Sequence, residues 1–161
     1  MSEPTRALYA ELAAAFPAVK LHPTTFTAAK LWGAYTNDRS FEQATDGRAW
    51  SELSREVVEA HSAALGYMNP DAFIAVLPAY LVVLGDAGNE LPAFVLGELT
   101  RKEDFRDVFD ARVAQMTTQQ RSVIAVLLEQ LANTQPFAQH YGAELAAAVT
   151  SWRAVDAGER S

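Results

Sequence analysis

The stretch PDAFIAVLPAYLVVLGD, Pro70 to Asp86, decides how the rest of the chain is read. It holds 13 consecutive uncharged residues, Ala72 to Leu84, with Pro78 in their midst. A bilayer span needs about 20 such residues, so this is not one. A strand fares little better, because proline cannot donate to a ladder and is confined to sheet edges. As a helix, the stretch loses one backbone bond at Pro78 and crowds the carbonyl of Ile74, at a cost of about 3 kcal/mol. Phe73, Ile74, Val76, Leu77, Tyr80 and the run from Leu81 to Leu84 each contribute about 1.5–3 kcal/mol when buried. Packing outweighs the proline several-fold. A helix that is apolar all round is covered on every side, so the expectation is a kinked, buried hub.

The flanks support that reading. Asn69 is placed as N-cap, Pro70 as the first helical residue, and Asp71 favours the positive end of the helix dipole. Upstream, Asp46 is expected to cap a helix carrying Trp50, Leu53, Val57, His61 and Leu65 inward, with Glu52, Arg55, Glu56 and Glu59 in water and Gly66 as its stop. Ser2 caps a first helix to about Phe16, with Leu8, Leu12, Ala15 and Phe16 on one side. Between Pro23 and Asp46, the apolar Phe26, Leu31, Trp32 and Tyr35 fit either a short helix or an extended segment.

Downstream, GDAGNELP reads as a turn and Leu91 to Leu99 as a short helix. The next helix is expected to face Phe105, Val108, Phe109, Val113 and Met116 inward. Thr117 or Thr118 caps the following helix, and a last one carries Tyr141, Leu145, Val149 and Trp152. The fold class is therefore all-α: a single helical domain, 1–155, of about six or seven helices around the Pro70–Leu84 hub, with 156–161 a frayed tail.

At 161 residues and 50% hydrophobic content the chain is long enough to bury a core without staples. It has no cysteine, so disulfides, thiolate metal sites and cysteine nucleophiles are excluded. The net charge of −7 is spread evenly: residues 1–80 carry six basic and nine acidic groups, and 81–161 carry seven and eleven. Such a surface repels nucleic acid. The first 16 residues lack the basic and apolar blocks of a signal peptide. The expectation is a cytoplasmic protein that engages neither nucleic acid nor membrane.

Motifs for chemistry are sparse. GDAGNE lacks the lysine and the preceding strand of a phosphate loop, and no glycine-flanked serine or His-Glu-x-x-His helix occurs. His22, His61 and His140 are far apart in sequence and have no ligand spacing around them. His61 falls on an apolar stripe and reads as a core-edge residue; His22 and His140 read as surface residues. No catalytic residue, metal site or cofactor is assigned.

The densest acidic group is Glu103, Asp104, Asp107 and Asp110. Asp104 and Asp107 share a helix face at i, i+3, as Glu103 and Asp107 do at i, i+4. Arg101, Lys102, Arg106 and Arg112 are interleaved, so the group reads as a solvated face or as a contact for a basic protein. Trp32 and Tyr35 are the candidate exposed anchors, since such rings dominate interface hot spots. Trp50 and Trp152 lie on apolar stripes and are read as core.

Residues 46–131 resemble a family of small, uncharacterised bacterial proteins. The shared pattern is a tryptophan-led helix (Trp50, Leu53, Leu65), an AF…LPAYL helix (Ala72, Phe73, Leu77, Pro78, Ala79, Tyr80, Leu81) and a T…Q…V…L helix (Thr117, Gln119, Gln120, Val123, Leu127). The resemblance implies a fold and no activity. The functional expectation is a non-catalytic binding protein, in concrete form an immunity-type protein that neutralises a basic partner. The alternatives are a metal-assisted hydrolase using Glu103, Asp104 or Asp107 with a histidine, and a helical module that forms a homodimer.

Overall fold

A computed structural model describes residues 3–21, 40–84, 90–135 and 137–160. Trp32, Tyr35 and His22 lie outside the described residues. Among the described residues, nine α-helices follow one another: α1 (Glu3–Ala15), α2 (Ser40–Thr45), α3 (Arg55–Ala60), α4 (Pro70–Leu84), α5 (Leu91–Glu98), α6 (Arg106–Ala114), α7 (Thr118–Ala132), α8 (Phe137–His140) and α9 (Gly142–Arg160). Short 3-10 turns at Trp50–Glu52, Ala64–Tyr67 and Glu103–Phe105 join some of them. Among the described residues there is no strand, and no helix is long and apolar enough to cross a membrane. The fold is all-α, as its apolar periodicity predicts.

The hub is α4. It runs on through Pro78, and ten of its 15 residues are buried, Pro78 and Tyr80 among them. Asn69 Oδ1 accepts from Ala72 N at 2.9 Å, which caps its start as the sequence predicts. Around it pack α1, α3, α5, α6 and the turns at Trp50 and Ala64. One continuous cluster of buried side chains then reaches from Leu12 in α1 to Trp152 in α9.

A second organising element is α7. Thr117 Oγ1 accepts from Gln120 N at 3.1 Å, and Thr117 N donates to Gln120 Oε1 at 3.0 Å, a reciprocal capping box. The same Gln120 is buried and donates Nε2–H to the carbonyl of Ala15 at 3.1 Å. One side chain thus closes the start of α7 and the end of α1.

The helix expected from Asp46 to Leu65 is broken into three pieces. Asp46 lies in a turn completed by Gly47 at φ +73°, not at an N-cap. Gly47 N donates to Leu21 O at 2.6 Å and Leu21 N to Arg48 O at 2.8 Å, so tertiary pairing with the chain after α1 replaces the first helical turn. The cap belongs to Ser54, whose hydroxyl accepts from Val57 N at 3.2 Å. The register shifts with it: Val58 is buried, and Val57 is half-buried. Trp50 and Leu65 still reach the core.

Candidate binding cleft

Arg112 is the residue that composition hides. It sits in α6 between the inward Phe109 and Met116, and it is 3% exposed. A buried guanidinium is costly unless its donors are met. Here Nη1 donates to Glu98 Oε2 at 2.7 Å, and Nη2 donates to the carbonyls of Leu65 at 3.0 Å and Met68 at 3.4 Å. The cationic plane lies 4.0 Å from the centroid of the Phe73 ring. Of the three Arg112 nitrogens, Nε has no hydrogen-bond partner. This one side chain therefore fastens α6 to α5, to the 64–67 turn and to the start of the hub.

Above that pair opens a cleft of about 420 Å³ between the 64–67 turn, the end of α5 and α6. Two glycines make the room. A Cβ on Gly66 would stand 3.0 Å from Glu98 Oε1, and one on Gly97 would stand 3.4 Å from Lys102 Nζ. The rim is apolar and bare: Phe105 is 64% exposed, Val108 45%, Tyr67 44% and Phe94 41%. The described residues include six exposed large hydrophobics, and these are four of them. Scattered apolar residues on a surface are ordinary, whereas clustering on one concave site is the mark of a contact face.

Phe105 and Val108 correct the expected inner stripe of this segment. A 3-10 turn at Glu103–Phe105 precedes α6 and rotates both outward, while Phe109 and Met116 stay buried. Arg112 takes the place in the interior that Val108 was expected to hold. The signal was present in the sequence: Phe109, Arg112, Val113 and Met116 are spaced i, i+3, i+4, i+7.

The four candidate carboxylates, Glu103, Asp104, Asp107 and Asp110, are all exposed beside this rim. Asp110 is held by Arg101 through two bonds, Nε to Oδ1 at 2.8 Å and Nη2 to Oδ2 at 2.9 Å. Hydrogen bonding from Arg101 pulls the Asp110 carboxyl below its ordinary range. Among the described residues, Glu103, Asp104 and Asp107 make no ion pair. The interleaved arginines thus offset less charge than their sequence spacing implies, because Arg112 turns inward.

The histidines do not join them. His61 Nδ1 lies 2.8 Å from the carbonyl of Val57, which only accepts, so Nδ1 carries the proton. Its Nε2 faces Ser40 Oγ at 3.1 Å, and its ring packs on Phe41 at 5.3 Å. His140 is exposed at the end of α8. Among the described residues no group of three or more His, Asp or Glu is placed to hold a metal ion. The hydrolase alternative therefore finds no convergent donor set there.

A protein family matches the chain over residues 5–156, nearly its whole length. The chain belongs to DUF6714, a family of unknown function. No curated protein and no solved structure matches it. The DUF6714 match extends over the hub, the Arg112–Glu98 pair and every residue of the cleft. It supplies no activity, so the function has to be argued from the surface.

Proposed function

We propose that this chain is a non-catalytic, cytoplasmic protein-binding module of the immunity type, and that the cleft at Tyr67, Phe94, Phe105 and Val108 is its contact face. What carries the reading is the convergence of four exposed large hydrophobics on one concave site with a rigid floor. The sign of the partner follows from the surroundings. Glu103, Asp104 and Asp107 flank the rim, and the chain carries a net charge of −7, so a basic partner is drawn in faster and held at the edge. Apolar anchors fill the cleft and the carboxylates orient them.

The test pairs capture with protection. The full chain and its Phe105→Ser/Val108→Ser double variant are used to recover partners from the native host. Each is then co-expressed with the basic protein recovered. A partner that binds the wild type and loses at least about tenfold in affinity with the variant, the variant keeping its helical circular dichroism, supports the reading. A partner bound equally by both places the contact elsewhere and overturns it.

A further inference from the structure

A wider concavity than the cleft lies elsewhere, in a groove of about 800 Å³ between α1, α7 and α9. α7 rests against both α1 and α9, and side chains of all three line the opening. On α7 the groove is lined at 125/126 and 129/130, and it continues to 133/134 just past the helix end. That is a repeat of four, one face of a helix. α9 lines it with Val149, Trp152 and Asp156, and α1 with Leu8 and Glu11, again at spacings of three and four. Three helical ridges thus border one furrow, the shape into which a fourth helix packs. From position 125 to 134 it measures about 14 Å, room for roughly ten helical residues.

The floor is apolar. Trp152 closes its base from within the core, and Val126, 46% exposed, stands in the middle of α7's open face. The walls are acidic: Glu11, Glu129 and Asp156 against a single Arg153. That arginine is already engaged by Glu129, at 2.9 and 3.2 Å. Asn133 and Thr134 turn their side-chain donors onto carbonyls of α7 itself, at 2.8 and 2.7 Å. They therefore offer few specific polar contacts to an incoming chain, which leaves shape, apolar area and negative charge as what the groove reads.

We infer that the α1/α7/α9 groove is a docking site for a basic amphipathic helix of a partner protein, its apolar stripe on Val126 and its lysines or arginines on the acidic wall at Glu11. A second copy of this acidic chain fits less well, because its own surface carries the same sign. The site is separate from the aromatic cleft, so either can fail without the other.

The experiment uses the full chain and three dye-labelled peptides of about 14 residues, read by fluorescence anisotropy in about 50 mM and 150 mM salt. One has leucines at helical spacing on a lysine background, one has glutamate in place of lysine, and one is a scramble of the first. The expected result is saturable, one-to-one binding of the leucine–lysine helix, at least about tenfold tighter than either control. Val126→Arg, an exposed position that leaves the core intact, should weaken it at least about tenfold. Glu11→Lys should weaken it too, while narrowing its advantage over the glutamate peptide. Phe105→Ser should leave it unchanged. Equal binding of the scramble, equal binding by Val126→Arg, or loss on Phe105→Ser each overturns the inference. Self-association in light scattering that Val126→Arg abolishes would also overturn it, by showing a second copy in the groove.

Discussion

Arg112 Nη1 stands 2.7 Å from Glu98 Oε2, with the arginine side chain 4% exposed and the glutamate 33%. The asymmetry sets what each substitution does. Removing the arginine takes a donor from the Glu98 carboxylate and the Met68 carbonyl, leaves the Leu65 carbonyl only its bond from Met68 N, and opens a hole beneath the Phe73 ring. Arg112→Ala should therefore cost about 3–5 kcal/mol. Glu98→Gln keeps an acceptor in place at a half-exposed position and should cost only about 1 kcal/mol. Urea unfolding of the two variants measures both. Equal losses would show that the Glu98 charge, and not the two carbonyls, accounts for what Arg112 contributes.

Much of this fold is legible in the sequence, and the reasons for success and failure are physical. The hub is legible because 13 uncharged residues with a capped start have few places to go. The α7 cap is legible because Thr117 and Gln120 stand at the spacing of a capping box. The segment after Asp46 misleads because its 3–4 spacing is real, yet Gly47 and the pairing with Leu21 stop the helix from starting there; that information is tertiary. The cleft is hidden for a similar reason. A 3-10 turn of three residues precedes α6, and Phe105 and Val108 face outward; the spacing of Phe109, Arg112, Val113 and Met116 carries that phase, but a charged Arg112 on the inner stripe argues against it until Glu98 and the carbonyls that receive it are known. Of the candidate anchors, the carboxylates fall beside the cleft, whereas Trp32 and Tyr35 lie outside the described residues.

Gln120 serves two helices at once, so its loss should exceed that of an ordinary cap. Thr117→Ala removes one acceptor at the start of α7 and should cost about 1 kcal/mol. Gln120→Ala removes the reciprocal half of the box and leaves the Ala15 carbonyl without its side-chain donor, which should cost about 2 kcal/mol. In a domain of this size each kcal/mol lowers Tm by about 2–4 °C, so thermal melts resolve the difference.

Tyr80 gives the protein an alkaline limit. Its phenol is buried in the hub and donates to the carbonyl of His61 at 2.7 Å. Burial pushes its pKa well above the ordinary value of 10.0. A raised folded-state pKa contributes stability that is fully present below the unfolded value and is lost as pH climbs above it. Stability should therefore fall from about pH 10 upward. Tyr80→Phe should cost about 1 kcal/mol at neutral pH, since the His61 carbonyl keeps its bond from Ala64 N. The same variant should lose less than the wild type between neutral and alkaline pH. Parallel pH profiles for the two proteins would remove Tyr80 as the cause.

Three glycines should respond to alanine with different signs. Gly97 lies near the end of α5 without positive φ, and an added Cβ would meet only the mobile end of Lys102 at 3.4 Å. Gly97→Ala should stabilise by about 0.5–1 kcal/mol, because glycine weakens a helix through its freedom in the unfolded chain. Since that methyl intrudes on the cleft, partner affinity should fall while Tm rises. At Gly66 the added Cβ would meet Glu98 Oε1 at 3.0 Å, and that carboxylate cannot retreat without loosening Arg112. Gly66→Ala should therefore destabilise. Gly47 has open space around it but φ +73°, so Gly47→Ala should cost about 1 kcal/mol from backbone strain alone. Thermal melts give all three signs, and a stable Gly97→Ala with undiminished partner binding would count against the cleft as the contact face.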